Sequence, residues 1–273
     1  MSDELVRRTR HGAVLELELD NPPVNGLSGP LLVAFIEALE EARLDDGVGA
    51  VVTTSAAEHW CVGGDLSQLA DGVQRKSLSE LLHEATGEQS SLGLVDRQAD
   101  LLGAGRHVLA IEAFDKPLIA AIDGSAAGGG FALALLHDIR LASERAVFTV
   151  AFTRIGLGLE MGLSHLLPRV VGPQAAFDLA ATSRRVEAEE ARSLGLVWRV
   201  VPSAELVARA VDYAQEICRR PPLGVQIAKR LLQRSRDHTL RQQLEAEWPY
   251  QVAAFDQPEA RAAIEAFLRR QAP

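Results

Sequence analysis

The sequence has few cysteines, few aromatic residues and no unbroken apolar stretch of membrane length. Cys61 and Cys218 are its two cysteines, and they supply no disulfide framework. Phe, Trp and Tyr make up only 5% of residues, so the core must be built mainly from aliphatic side chains and alanine. The longest apolar stretch, 117 to 136, is broken by Asp123 and its glycines, which excludes a membrane span there. Basic residues are the minority: 28 Lys and Arg against 37 Asp and Glu give a formal net charge of -9. That balance argues weakly against general nucleic-acid binding. No His, Cys or carboxylate cluster has metal-ligand spacing. The opening residues, MSDELVRRTRHG, lack the apolar core of a secretory signal, and the cytoplasm is the expected compartment. There is no internal repeat and no low-complexity segment.

What is present is enough apolar material, 47% of 273 residues, for a sizeable core and the profile of a soluble globular protein. Residues 4 to 20 alternate apolar and acidic side chains around Gly12 and predict a strand hairpin. A helix over 30 to 43 is expected, with Ser28 as cap and Pro30 in the first turn. Val48–Thr54 is a strand candidate, followed by a loop through Gly63, Gly64 and Asp65. Residues 70 to 108 carry no decisive pattern, as suits either a wall over a pocket or plain surface. Leu118–Ile122, bounded by Pro117 and Gly124, reads as an interior strand. Gly128, Gly129 and Gly130 follow, then the apolar helix start Phe131–Leu136. A strand, a glycine turn and a helix N-terminus point backbone N–H groups at something negative.

A further glycine-rich turn, IGLGLEMG, carries Glu160. Helices are expected over 173 to 182 and over Val186 with the run EAEEARSLG, closed by Gly195, with a strand over Val197–Val201. From Ser203 the pattern is helical, over 203 to 219, 222 to 235, 237 to 248 and 258 to 270. Such a tail has no sheet of its own and must pack on the core or on a neighbouring subunit. Cys61 lacks a base partner. His59 and His165 read as loop, packing or surface residues rather than ligands.

Two motifs carry a resemblance. Trp60-Cys61-Val62-Gly63-Gly64-Asp65 and the stretch from Pro117 to Gly130 resemble the paired oxyanion-loop motifs of the crotonase superfamily, also called the enoyl-CoA hydratase/isomerase family. Ile155–Gly162, Leu167–Gly172, Ala191–Pro202 and the closing DQPEARAAIEAFLRR continue the likeness. The resemblance implies an α/β, crotonase-like spiral of ββα units over 1-202. It also implies a helical C-terminal region over 203-273 that mediates trimer formation, often as a dimer of trimers. The implied substrate is an acyl-CoA thioester, with coenzyme A part of the substrate. No separate cofactor or metal, no nucleic acid and no membrane insertion are implied.

The resemblance places the thioester oxygen between the N–H groups of Gly64 and Gly129. It places Val62, Asp65, Leu66, Phe131, Ala132, Phe152 and Leu159 around the substrate. Arg184, Lys229, Arg269 and Arg270 are candidates for the CoA phosphates. The positions matching the two glutamates of the family's hydratases are Ala132 and Phe152, and neither side chain can move a proton. Glu160 matches a position where some family isomerases, and an aromatic dehalogenase, carry an aspartate facing the acyl group. Isomerisation of a 3-enoyl-CoA to a 2-enoyl-CoA through Glu160 is therefore the leading expectation, because one carboxylate and an oxyanion hole suffice for it. Phe152, Phe131 and Ala132 are expected to dry the site and raise the basicity of Glu160. The alternatives are a hydratase with an unusual water site around Glu160, a catalytically silent acyl-CoA binder, and hydrolase or dehalogenase chemistry with Glu160 as nucleophile.

Overall fold

The computed structural model describes residues 4–64 and 105–271. Strands β1 (Val6–His11) and β2 (Val14–Leu19) pair antiparallel across a turn in which Gly12 takes φ +64°. In helix α1 (Gly29–Leu44) the Ser28 side chain accepts the Leu31 N–H and Pro30 occupies the first turn. Its buried residues, Leu31, Leu32, Phe35, Ala38, Leu39 and Ala42, recur at three- and four-residue intervals and turn one face to the core. Strand β3 (Ala50–Ser55) lies parallel to β2, and helix α2 (Gly105–Glu112) leads into β4 (Leu118–Ile122).

From β4 onward the chain alternates between two sheets. β4 belongs to a six-stranded sheet and β5 (Ser125–Ala127) to a three-stranded one, after which helix α3 (Gly129–Leu135) returns the chain. β6 (Ile139–Ser143) and β7 (Val147–Thr149) repeat the step, followed by a 3-10 turn (Ala151–Ile155) and helices α4 (Leu163–Val171) and α5 (Pro173–Thr182). β8 (Val186–Glu187), α6 (Ala188–Ser193) and β9 (Arg199–Val201) complete the sheets. The large sheet has the order β1-β2-β3-β4-β6-β9 and the small one β5-β7-β8. This is the ββα progression of the crotonase-like fold.

Strand β4 shows why the run Leu118–Ile122 is apolar throughout. Leu118, Ala120 and Ile122 enter the main core with Leu17, Phe35 and Trp60. Ile119 and Ala121 enter a second cluster with Val14, Ala50, Val52 and Leu141. That second face is covered by helix α7 (Leu206–Cys218) through Leu206, Ala210, Val211 and Ala214. A strand buried on both faces has no polar side to alternate with.

Helix α8 (Pro222–Arg234) docks on the core edge, where Lys229 Nζ lies 2.8 Å from Asp138 and donates to the Lys116 carbonyl at 2.8 Å. Helices α9 (Leu240–Phe255) and α10 (Pro258–Gln271) follow. Helix α9 differs from the expected 237 to 248 at both ends. A capping box between Thr239 and Gln242 sets its start, and it continues through Pro249 to Phe255. Val186–Glu187 is a short strand rather than the opening of a helix, because it pairs with β7.

His137 is a buried polar group with a consequence for stability. Its Nδ1 donates to the Leu133 carbonyl at 2.9 Å, and its Nε2 accepts from the Thr53 hydroxyl at 2.9 Å. Trp60 stands edge-on to the ring at 5.7 Å. Burial pushes the imidazole pKa down to about 3. The folded state therefore holds His137 neutral where the unfolded chain, at about 6.5, would protonate it. This stabilisation is present above about pH 6.5 and is lost as pH falls toward 3, at up to about 1.4 kcal/mol per pH unit. Denaturant unfolding of wild type between pH 7 and 4.5 should show this slope. His137→Gln should lose about one proton's worth of it, and equal slopes would refute the assignment.

Candidate active site

The site is built where the loop after β3 meets the turn after β5. Asn25, buried at φ +51°, donates from Nδ2 to the Leu19 carbonyl at 3.1 Å and to the Ser55 hydroxyl at 2.6 Å. Ser55 in turn donates to the His59 carbonyl at 2.7 Å, which folds the loop back. The next residues are held on both sides. Cys61 N–H donates to Ser125 O at 3.0 Å and Ala127 N–H to Cys61 O at 3.0 Å, while Leu27 N–H donates to Gly63 O at 2.7 Å.

Glycine is needed at this contact. A methyl group built on Gly130 would lie 2.1 Å from Cys61 O and 2.8 Å from Cys61 Cβ. One built on Gly63, at φ +84°, would lie 2.9 Å from Gly129 N and 2.7 Å from Ala127 O. The two glycine turns thus touch backbone to backbone. Gly129 opens α3, so its N–H has no partner within the helix. Among the backbone hydrogen bonds of the described residues, neither Gly64 N–H nor Gly129 N–H is used. Gly129 is buried and Gly64 is exposed.

Three side chains wall Gly128 and Gly129. Met161 Sδ and Leu27 Cδ2 lie 3.0 and 3.2 Å from where a Gly129 methyl would sit, and the Phe152 ring lies 3.9 Å from the same point on Gly128. Phe152 is carried by the 3-10 turn, which is tied to the end of α5. Thr153 Oγ1 lies 2.7 Å from Ser183 Oγ, and Arg154 donates to the Ser183 carbonyl at 2.6 Å. Glu160 immediately precedes Met161, which has φ +55°, and its carbonyl accepts the Leu163 N–H at 3.0 Å. The chain bends there so that Met161 packs on Gly129 while the Glu160 side chain stays exposed.

The expected site residues are therefore unequally placed. Ala132 is buried one turn into α3, and Phe131 points into the core with its ring centroid 5.5 Å from Phe148. Val62 and Leu159 are half-buried, and Leu159 and Phe152 pack on the main core. Among the described residues, the enclosure expected to dry Glu160 is absent around its exposed side chain. Asp65 and Leu66 fall outside the described residues. Leu27 and Met161 were not anticipated. Met161 could have been suspected from its place beside Glu160 in a glycine turn; Leu27 had no sequence signal.

Cys61 is buried, and burial pushes its thiol pKa up to about 11, which removes it as a nucleophile. His165 is exposed on α4. Of the proposed phosphate partners, Arg184 pairs with Asp178 and Glu190, each at 2.8 Å, and Lys229 on α8 is paired with Asp138. Arg269 reaches Glu265 at 3.4 Å, and the Arg270 side chain lies outside the described residues. Among the described residues no three His, Cys, Asp or Glu side chains are grouped to hold a metal ion, and no helix is long and apolar enough to cross a membrane.

The family model described as Enoyl-CoA hydratase/isomerase matches residues 9–92 and 96–273. The chain is 30% identical over 262 residues to the 1,2-epoxyphenylacetyl-CoA isomerase of Escherichia coli (strain K12), covering 95% of this chain and 94% of that protein. It is also 30% identical to the 2,3-dehydroadipyl-CoA hydratase of the same organism, over 100% of this chain and 98% of that one. A crystal structure of an enoyl-CoA hydratase/isomerase from Cupriavidus metallidurans CH34 superposes with a TM-score of 0.84 at 31% identity, over 100% of this chain and 96% of that chain.

Proposed function

Because the chain belongs to the enoyl-CoA hydratase/isomerase family, we propose that it processes acyl-CoA thioesters by moving a double bond from C3 to C2 through Glu160. The observation that carries this reading is the acid inventory around the glycine turns among the described residues. By the resemblance, Ala132 and Phe152 match the positions of the two glutamates of the family's hydratases, and Glu160 is joined directly to the residue that packs on Gly129. An enzyme that adds water must position and activate it. An enzyme that only relocates a proton needs one carboxylate.

In this reading the thioester oxygen accepts from Gly64 N–H and Gly129 N–H. Glu160 removes a proton from C2, and the C–H electron pair delocalises through the thioester onto that oxygen. The two amides are set before the charge develops, so little reorganisation opposes it. The protonated Glu160 then delivers the proton to C4, leaving a C2–C3 double bond and a regenerated carboxylate. Val62, Leu27, Met161 and Phe152 offer an apolar surface beside the thioester. The exposure of Glu160 favours hydration with water held at the carboxylate as the second reading. Product analysis separates the two: 3-enoyl-CoA converted to 2-enoyl-CoA without a 3-hydroxy product supports isomerisation, and hydration of 2-enoyl-CoA alone supports the second reading.

An assembly is proposed from α9 and α10. Leu240, Leu244, Trp248, Val252 and Phe255 lie along α9 and Ile264, Phe267 and Leu268 along α10, all exposed in the single chain. Four-residue spacing from Leu240 to Val252 makes a continuous apolar stripe. This part of the 203-273 region is proposed to build a trimer-based oligomer. Sedimentation at micromolar concentration should show a trimer or dimer of trimers, and Trp248→Glu should shift it to smaller species. A stable wild-type monomer would remove the proposal.

A further inference from the structure

A cleft of about 730 Å³ opens beneath α8, away from the glycine turns. Those turns follow the carboxyl ends of β3 and β5, whereas the cleft takes in Pro117, Asp138 and Ile139 at the amino ends of β4 and β6. Its floor is apolar, with Ile119, Leu135 and Leu166 buried there. Its charged lining is Arg140, Arg169, Lys229 and Arg236 against Asp138.

The cations are not equally neutralised. Lys229 has Asp138 at 2.8 Å and Arg169 has Asp237 at 3.4 Å. Arg236 meets Glu112 only at 3.8 Å. Arg140 makes no ion pair among the described residues; its Nε and Nη1 donate to the carbonyls of Leu196 and His137, each at 2.6 Å. Burial, with the charge of Arg236 adding to it against Asp138, lowers the Arg140 pKa to about 10. Of the four cations lining the cleft, three thus have a carboxylate partner, the one on Arg236 distant, and Arg140 has only neutral carbonyls as hydrogen-bond acceptors among the described residues. The lining therefore carries an excess of positive charge that an anion would meet, and a guanidinium suits a carboxylate.

We propose that this cleft binds an amphiphilic monocarboxylate. Its head group would sit between Arg140 and Arg236, and its apolar chain would run over Ile119, Leu135 and Leu166. The volume lies within the range of about 300 to 1,000 Å³ usual for small-molecule sites. Because α8 forms one wall, the ligand would also steady α8 on the core.

Calorimetric titration of decanoate into the full-length protein tests this. One saturable site per chain is expected, with decanol and inorganic phosphate each binding at least about 10-fold more weakly because each supplies only half of the match. Arg236→Glu removes the head-group partner, and Ala228→Trp fills the cleft from α8. Both should weaken decanoate at least about 10-fold while keeping the wild-type unfolding midpoint. If either variant fails to fold, Arg236→Gln takes its place with the same expectation. Absence of saturable binding overturns the proposal, as does decanol matching decanoate. A folded variant that binds as wild type would put the ligand elsewhere and overturns it too.

Discussion

Glu160→Gln should lower turnover of 3-enoyl-CoA to 2-enoyl-CoA by about 10²- to 10⁴-fold, the scale of a lost general base. The substitution keeps the length and most of the hydrogen bonding of the side chain and removes its ability to take a proton. Its backbone role is untouched, because the Leu163 N–H is accepted by the Glu160 carbonyl and not by the side chain. The exposed side chain also carries no packing to lose. Stability should therefore stay within about 0.5 kcal/mol, the usual range for a surface change. Binding of a saturated acyl-CoA should change little, since its thioester would still meet Gly64 and Gly129. Full isomerase activity in the variant would rule out Glu160 as the base. Loss of hydration without loss of isomerisation would move Glu160 to the second reading.

How much of this was legible beforehand follows from which interactions are local. The hairpin around Gly12, the cap at Ser28 and the strand Leu118–Ile122 depend on residues within one turn or one strand, and their patterns survive in the sequence. The glycine turns were legible for a related reason: Gly63, Gly128 and Gly130 answer to backbone conformation or backbone contact, which few other residues satisfy. The packing around them was not legible. Leu27 and Met161 reach Gly129 through contacts more than thirty residues apart in either direction, and nothing in either neighbourhood marks that meeting. Phe131 shows how helix geometry sets direction. It stands two residues from Gly129, but the helical rotation of α3 turns it toward Phe148 in the core. The reach of α9 beyond 248 was hidden because Pro249 reads as a break, whereas the helix tolerates the missing N–H.

Gly130→Ala should be the most damaging single methyl in the site, and comparison with Gly129→Ala shows why. Two effects oppose each other at Gly130. Alanine is the better helix former by about 1 kcal/mol, which favours the variant inside α3. Against that, the new methyl would lie 2.1 Å from Cys61 O and 2.7 Å from Cys61 C, both backbone atoms that cannot rotate aside. Cys61 is itself fixed by hydrogen bonds to Ser125 and Ala127, so relief requires the whole first loop to part from β5. Overpacking of this kind costs about 1 to 3 kcal/mol or more, so it outweighs the propensity gain. The displaced loop carries Gly64, the proposed oxyanion donor, and such a donor moved by about 1 Å costs about 10²-fold in rate. At Gly129 the methyl would meet Met161 Sδ at 3.0 Å and Leu27 Cδ2 at 3.2 Å, the flexible ends of side chains. Gly129→Ala should therefore lose little stability and mainly weaken substrate binding beside the thioester. The measurement is turnover and denaturant midpoint for both variants against wild type. The close contact of the two turns is established as the device that sets the donors if Gly130→Ala loses both while Gly129→Ala keeps its midpoint. A Gly130→Ala protein with wild-type midpoint and turnover would show that the first loop can move away from α3 without moving the donor.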